Sequence, residues 1–183
     1  MASERAAPRQ VSLLRGINVG GRTIIAMSRL RTLYEALGCR DVDTHLQSGN
    51  VILRDARSPD AVSRAAAAAI RAELGLDVRV LGRTHEQLVR ILATDAFPGA
   101  DPNDRHVVFL SGTLKADAKR LLAEAESGRE KAAVAGHEIH LLLPDGVGRA
   151  KLSQALIERR LGVTATTRNW RTVTRLEELS QAG

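Results

Sequence analysis

The 183-residue sequence contains few aromatic residues and one cysteine. The aromatic side chains are Tyr34, Phe97, Phe109 and Trp170. Leucine, valine, isoleucine and alanine must therefore fill the core, and few rings remain for stacking on nucleic-acid bases, which argues against a protein that recognises single strands mainly through aromatic platforms. The single cysteine, Cys39, excludes an internal disulfide and a zinc site built from cysteines.

Long apolar runs are also missing. No stretch approaches the length that spans a bilayer, and residues 1–9 are polar and alanine-rich, without the apolar core of a signal peptide. The length suits one large domain or two small lobes. We therefore expect a cytoplasmic protein with no membrane association, and its oligomeric state stays open.

The sequence offers no recognisable metal or catalytic group. His137 and His140 lie three residues apart in a predicted strand, so their side chains face opposite sides of the sheet. No Ser/His/Asp arrangement and no paired carboxylates stand out. We therefore expect no metal and no cofactor, and the catalytic residues of any activity stay unknown.

The positive charge is concentrated in one part of the chain. The formal net charge is +6, and the segment Arg149–Arg175 alone carries a net +6 because Glu158 is its one acidic residue. Localised positive charge attracts phosphate-bearing partners. The alternative is a solvated surface on an arginine-rich protein. A second basic run without intervening acids consists of Arg15, Arg22, Arg29 and Arg31.

Hydrophobic periodicity and turn residues divide the chain into two similar halves, joined by a Pro- and Gly-containing loop at Phe97–Arg105. Ser48-Gly49-Asn50 is typical of a hairpin turn. Thr84, with Gln87 three residues later, predicts a capping box. The predicted strands are 10–16, 42–47, 51–55, 77–81, 106–110, 132–135, 138–143 and 163–166, and the predicted helices are 26–37, 60–74, 85–94, 116–125, 150–161 and 170–179.

Each half has the order strand–helix–strand–strand–helix–strand–helix, of which the first six elements follow the ferredoxin-like order. We therefore predict an α+β protein of two ferredoxin-like (βαββαβ) lobes, each followed by an extra helix, packed as a pseudo-duplicated unit. The predicted domains are a flexible N-terminal tail at 1–9, a first lobe at 10–97, a connecting loop at 98–105, and a second lobe with the C-terminal helix at 106–183.

Strand direction determines which turns can meet. We expect the first and third strands of each lobe to be parallel and the other two to run against them. The Gly16–Gly21 turn and the Ser48-Gly49 hairpin would then lie at opposite ends of the first sheet. Lys151 and Arg168 would likewise lie at opposite ends of the second. One composite site would require ends of different halves to meet.

Several motifs are distributed along nearly the whole chain: Leu13–Gly21, Met27, Gln47–Val51, Lys151-Leu152 and Thr166–Val173. Together they resemble the bacterial family known as domain of unknown function 1697, from about residue 11 to residue 176. The resemblance implies an α/β fold and a cytoplasmic protein, and it brings no established activity. Ala150 stands where the family usually has serine, and residues 141–143 lack its usual tyrosine, which weakens any mechanism that needs a hydroxyl at either place.

The turn Gly16–Thr23 nearly matches a P-loop, with Arg22 in place of the lysine. A P-loop begins its helix at that lysine, whereas the helix here is predicted to start near Ala26. A looser anion nest could use the amides of Gly20-Gly21 with Arg15 or Arg22. The alternative is a strand-to-helix connection that needs glycine for positive φ.

The hairpin at Gln47–Asn50 could present polar side chains to a ligand. A tight turn explains Gly49 and Asn50 without a ligand, but it does not explain Gln47 or Ser48. Ser48 as a nucleophile would lack an identifiable base.

The segment before the last helix is a further candidate. Thr167 or Asn169 can cap that helix, and the free amides there favour an anion. Arg168 and Arg171 would add positive charge, and Trp170 is the one indole in the chain. The alternative is that Trp170 packs between the lobes and that the arginines pair with acids.

Lys151 follows the turn Pro144–Gly146 near a predicted helix start and is one of four lysines. A lysine kept in an arginine-rich chain hints at a compact cation. A lysine that covers a helix end is the alternative.

Our leading hypothesis is a protein that binds anionic ligands, with RNA or another nucleic acid as the expected partner. One alternative is an enzyme that acts on a small phosphorylated metabolite or nucleotide in an inter-lobe cleft, because the polar turns exceed what folding requires. Another is a protein-interaction scaffold. The candidate ligand-binding residues are Arg15, Gly16, Asn18, Gly20, Gly21, Arg22, Gln47, Ser48, Asn50, Lys151, Arg168, Asn169, Trp170 and Arg171.

Overall fold

The computed structural model describes residues 7–181, so most of the predicted N-terminal tail lies outside the described residues. Within that range, no helix is both long and apolar enough to cross a membrane. The elements are, in chain order, β1 (Arg9–Leu14), α1 (Met27–Ala36), β2 (Arg40–His45), β3 (Asn50–Arg54), α2 (Pro59–Leu74), β4 (Val80–Thr84), α3 (His85–Ala93), β5 (Arg105–Ser111), α4 (Ala118–Ala123), β6 (Lys131–Ala135), β7 (Glu138–Leu142), α5 (Gln154–Leu161), β8 (Thr164–Asn169) and α6 (Trp170–Leu179).

The two halves repeat one topology. The first four strands form an antiparallel sheet in the order β2-β3-β1-β4, and the last four form a second antiparallel sheet in the order β6-β7-β5-β8. A helix follows the fourth strand of each sheet. The predicted α+β class and the duplicated β-α-β-β-α-β order, each with an extra helix, are confirmed.

The predicted strand directions are wrong. β3 runs antiparallel to both β1 and β2, so β1 and β2 are parallel. The physical reason is that a helix between two strands returns the chain to the same end of the sheet, whereas a hairpin reverses it. The end of β1 and the β2–β3 hairpin therefore lie at the same end of the first sheet, where the Leu14 amide donates to the Gly49 carbonyl at 2.8 Å.

The same correction applies to the second sheet. β7 and β8 both run antiparallel to β5, so they are parallel to each other. β7 ends shortly before Lys151, and Arg168 lies near the end of β8. These two residues therefore lie toward the same end of the second sheet, not at opposite ends.

The chain forms two compact units. The first contains the residues up to Leu88 together with those from Leu176, and the second contains Val89–Arg175. The boundaries between the units fall within α3 and α6. The lobe boundaries expected from the sequence, at 97 and 106, stay a prediction.

In the first unit, α1 and α2 cover one face of the sheet. Leu14, Val51 and Leu53 of the sheet pack with apolar side chains of the helices, including Leu30 and Ile70. The apolar side chains on the opposite face of the sheet are also buried. These residues are Val11, Leu13, Ile52 and Leu81.

In the second unit, α4 and α5 cover one face of the sheet. Val108 and Ile139 of the strands pack with Leu122 of α4 and Ile157 of α5. Phe109 is fully buried. Aliphatic side chains therefore dominate this core as they do the first.

Side-chain caps determine where two helices begin. The Gln87 amide donates to Thr84 Oγ1 at 3.2 Å and the Thr84 amide donates to Gln87 Oε1 at 2.8 Å, which is the predicted capping box. Ser153 Oγ accepts from the Leu156 amide at 3.3 Å. α5 therefore begins at Gln154, four residues later than the sequence predicts.

Candidate functional site

A glycine-rich loop joins β1 to α1 at one end of the first sheet. Its positive backbone φ angles occur at Gly16, Asn18, Gly20, Gly21 and Thr23. Val19 and Arg22 form an isolated antiparallel bridge, so the two glycines between them make a two-residue turn whose central residues both need positive φ. α1 begins only at Met27. The loop therefore lacks the helix start that holds phosphates in a P-loop.

The side chain of Asn18 connects this loop to the hairpin. Its Oδ1 accepts from the Ile25 amide at 2.9 Å, and its Nδ2 donates to the Ile25 carbonyl at 2.9 Å and to the Gln47 carbonyl at 2.7 Å. The Asn18 amide donates to the Thr23 carbonyl at 3.0 Å. Both ends of the side chain are thus used in folding, which favours a structural role for Asn18.

Asn50 has a similar internal role. It is fully buried, and its Nδ2 donates to the His45 carbonyl at 2.7 Å and to Ser48 Oγ at 3.1 Å. Ser48 is half-buried and Gln47 is exposed. Of these polar hairpin residues, Gln47 is the one whose side chain reaches the surface most fully.

Gly49 lies directly against the β1–α1 loop. Its φ is 81°, and a Cβ added there would lie 2.7 Å from Ile17 Cδ1 and 2.9 Å from Leu14 Cβ. The position therefore requires glycine for its backbone conformation and for the close approach of the two segments. The hairpin and the loop are packed against each other at one end of the sheet.

Three arginines lie at this end of the first sheet. Leu14 of β1 pairs with Val80 of β4. The amide of the next residue, Arg15, donates to the Arg79 carbonyl at 2.9 Å. Arg15 and Arg79 therefore lie directly opposite each other. Arg22 is exposed on the adjoining loop, and Arg79 is also exposed. We call Arg15, Arg22 and Arg79 the basic end.

Arg79 was not a candidate from the sequence, because its approach to Arg15 depends on the pairing of two strands that are far apart in the chain. Aligning the first and fourth predicted strands as antiparallel neighbours would have revealed it. Asp77 is the nearby acid, and its carboxylate is bound by Arg71 at 2.6 Å. Its pKa is lowered first by Arg71 and more weakly by Arg79. The acid therefore neutralises Arg71 more than it does the basic end.

Exposed apolar side chains accompany the basic end. Val19 and Ile24 project from the β1–α1 loop, and Leu46 projects from the hairpin, each more than half exposed. Leu46 also has a positive φ of 60°. Each of the three is the chain neighbour of a residue that the Asn18 hydrogen bonds join, so their backbones lie at the same end of the sheet.

In the second unit, Lys151 is exposed, but its backbone amide is bound within the protein. The amides of Lys151 and Leu152 donate to the two carboxylate oxygens of Glu130, at 3.0 and 2.8 Å. Lys151 Nζ donates to Ser127 Oγ at 3.1 Å. Glu130 is buried. The amides ahead of α5 are therefore bound by a carboxylate of the protein itself, and not available to an external anion.

Arg168 is not a surface residue. It lies within β8, is 7% exposed, and donates through Nη1 to Thr166 Oγ1 at 2.8 Å and to the Thr167 carbonyl at 2.9 Å. Burial lowers the pKa of its guanidinium to about 10. The placement favours a structural role over the phosphate contact suggested by the sequence.

Asn169 caps α6, and it is one of the two caps that the sequence predicts, Thr167 or Asn169. Its Oδ1 accepts from the Arg171 amide at 2.9 Å, while its Nδ2 donates to the carbonyls of Pro102 and Asn103. Arg171 itself is exposed. The amide side chain thus fastens a loop to the helix start.

Trp170 packs within a cluster of the second unit. The Arg105 guanidinium lies 3.8 Å from the centroid of its ring, and Asp95 pairs with Arg105 at 2.5 Å. The His140 ring meets the indole edge-on with centroids 5.6 Å apart. The pKa of His140 is lowered, first by burial and then by Arg105, with Asp95 opposing. The indole is therefore held by neighbours of its own unit.

The basic segment Arg149–Arg175 does not form one surface cluster. Lys151 precedes α5, whereas Arg160 lies in its last turn, so α5 separates them by its whole length. Arg160 approaches Glu124 at 3.9 Å. Together with the burial of Arg168, this placement disperses the charge that is concentrated in the sequence.

The fold and the motif residues define a duplicated α+β protein whose motif turns are internally hydrogen-bonded. The chain belongs to the family described as protein of unknown function (DUF1697), whose model matches residues 8–140. The family assignment made from the motifs is therefore confirmed.

A solved structure supports the fold independently. The conserved bacterial protein SP0830 from Streptococcus pneumoniae has a TM-score of 0.75 and 19% sequence identity, with 94% of this chain and 98% of that chain covered. At this identity the similarity establishes the fold alone. No curated protein matches the chain.

Proposed function

We propose that the protein binds nucleic acid, with RNA as the expected form, through the phosphate-binding arginines of the basic end. The observation that carries this proposal is the direct opposition of Arg15 and Arg79 at the same end of the sheet as the exposed Arg22. The expected compartment is the cytoplasm.

Like charges directly opposite each other in an antiparallel pair destabilise the sheet. A phosphate bound by the exposed Arg79 would place negative charge beside this pair, because guanidinium groups bind phosphate oxygens through two parallel hydrogen bonds. Binding would release counterions from the nucleic acid and would therefore depend on salt.

The way in which RNA would bind depends on which face of the first sheet is exposed. Val11, Leu13 and Ile52 are buried on the face of the first sheet that its helices do not cover. RNA-binding domains that stack bases on a sheet need that face open and aromatic. Contacts to the phosphate backbone at the end of the sheet are the alternative that this arrangement supports.

The enzyme hypothesis is supported less by three of its five polar turn residues, while Gln47 and Ser48 are not explained by folding in this way. It rested on polar turn residues in excess of what folding requires, yet the amides of Asn18, Asn50 and Asn169 all bind backbone carbonyls. Their side chains hold turns together.

The test is the affinity of a fluorescent single-stranded RNA for the wild type and for Arg22→Ala/Arg79→Ala at low salt. We expect the double variant to bind at least about tenfold more weakly, since two phosphate contacts are lost. Arg64→Ala is the matched control, because Arg64 is an exposed arginine on α2 of the same unit. Equal affinities for all three proteins, or no binding by the wild type, would refute the proposal.

A protein-interaction scaffold is the second candidate, favoured by the exposure of Val19, Ile24 and Leu46. Exposed apolar clusters mark surfaces that bind other proteins. A scaffold predicts weak RNA binding that does not respond to Arg22→Ala/Arg79→Ala, so the same assay separates the two candidates.

A further inference from the structure

The first unit contains a cavity of about 380 Å³ beside the end of α1. Its volume lies within the range of small-molecule sites in proteins. Three of its lining side chains are arginines, although none of them was a candidate from the sequence. The lining residues are Ala7, Leu37, Gly38, Arg40, Arg54, Asp55, Ala56 and Arg57.

Two of the arginines oppose each other across a strand pair. Arg40 of β2 is in register with Arg54 of β3, immediately before a bulge in β2. Directly opposed like charges destabilise a sheet. The bulge contains Asp41, whose φ of 49° is positive and whose carboxylate binds Arg54 Nε at 2.9 Å. Asp41 therefore offsets one of the two charges.

The third arginine is held by a carboxylate of the cavity wall. Arg57 donates to both oxygens of Asp55 and to the Leu37 carbonyl at the end of α1. The adjacent Arg57 guanidinium lowers the pKa of Asp55 to about 2. The Cys39 thiol lies 3.4 Å from Asp55 Oδ2. This pair is therefore locked in place and fixes the wall.

One positive charge is left over. Arg54 and Arg57 are each matched by a carboxylate, whereas Arg40 is exposed and its guanidinium has no hydrogen-bonded or ion-pair partner among residues 7–181. Its neighbours across the strand and in the cavity are the other two arginines. The cavity therefore has a net positive lining with one guanidinium available.

We propose that this cavity binds a small oxyanion, such as a phosphate or carboxylate group, between Arg40 and Arg54. An anion there would accept a charge-assisted hydrogen bond from Arg40 and would lie beside the Arg54 guanidinium, which Asp41 holds in place. The site differs from the basic end in its residues and its shape: a cavity of about 380 Å³ suits a small anion, whereas the exposed basic end suits a polymer.

The test is the thermal unfolding midpoint of the full chain in inorganic phosphate, and separately in acetate, each compared with chloride at equal ionic strength. At phosphate ten times above its Kd, we expect the wild-type midpoint to rise by about 4 °C. A rise with phosphate alone would identify a phosphate site, and a rise with acetate as well would identify a general oxyanion site.

Arg40→Ala should abolish the rise, and the exposed position of Arg40 makes the variant compatible with folding. Arg40→Gln keeps most of the side chain without its charge and should also abolish it. Arg64→Ala is the matched control and should respond as the wild type does. No rise for the wild type in either anion, or a full rise in Arg40→Ala, would overturn the proposal.

The variants also keep this proposal separate from that of the basic end. Arg22→Ala/Arg79→Ala should retain the phosphate response, and Arg40→Ala should retain RNA affinity. If Arg40→Ala lost RNA affinity while Arg22→Ala/Arg79→Ala kept it, the cavity would belong to the nucleic-acid site and the separate small-anion site would be wrong.

Discussion

Two glycines of the first unit share a left-handed backbone and differ in their surroundings. Gly20 has φ of 63° and no atom within 4 Å of an added Cβ, whereas an added Cβ at Gly49 would meet Ile17 and Leu14 at less than 3 Å. The left-handed conformation costs an alanine about 1 kcal/mol or slightly more. Of these two glycines, only Gly49 would also incur a steric clash when replaced by alanine.

We therefore predict that Gly20→Ala lowers the free energy of unfolding by about 1 kcal/mol and that Gly49→Ala lowers it by about 3 kcal/mol or more, because strain and overpacking add. Urea denaturation of the two variants measures both values. Equal costs would contradict the close packing of the hairpin against the β1–α1 loop.

At the scale of single residues, the sequence predicts interactions between residues that are close in the chain. The capping box of Thr84 and Gln87 was predicted and is present, because both partners lie within one turn of helix. The role of Asn18 could not be predicted, since its partner Gln47 is 29 residues away. Arg79 was missed for the same reason.

At the scale of elements, the order of strands and helices follows from the sequence, and errors concern ends and directions. β8 extends through Asn169, so Arg168 lies within the strand, and its side chain is buried. The sequence predicts a strand that ends at Thr166 and a helix that begins at Trp170, which leaves Arg168 in the segment between them. α5 starts late because Glu130 binds the amides before it.

The strand directions had the largest consequence. Once β1 and β2 are parallel, the β1–α1 loop and the hairpin meet, and Asn18 can link them. The candidate residues of the first unit thus converge on one end of the sheet, which the sequence analysis had excluded.

We predict that Asn18→Ala uncouples the loop from the hairpin. The Ile25 amide, which donates to Asn18 Oδ1, should exchange with solvent on the order of thirty-fold faster, as expected for a loss of about 2 kcal/mol when several hydrogen bonds are removed. Hydrogen exchange followed by NMR measures this rate. Asn103→Ala, which changes an exposed loop residue, should leave it unchanged, and an unchanged rate in Asn18→Ala would contradict the linking role.

At the scale of the whole molecule, charge along the chain and charge on the surface are different quantities. The segment Arg149–Arg175 holds the net charge of the sequence, yet Arg168 is buried and α5 separates Lys151 from Arg160. The basic end comes instead from residues distant in sequence, Arg15, Arg22 and Arg79. Composition predicted an anionic partner, and the fold determines where such a partner could bind.

The salt dependence of RNA binding tests the central claim most directly. The logarithm of the binding constant should fall linearly with the logarithm of salt concentration, by about 0.7 per phosphate contact on a single strand. Arg22→Ala/Arg79→Ala should therefore reduce the steepness of that line by about 1.4, while Arg64→Ala leaves it unchanged. A double variant with the wild-type slope, or wild-type binding that does not respond to salt, would contradict the assignment of the basic end as the phosphate-binding surface.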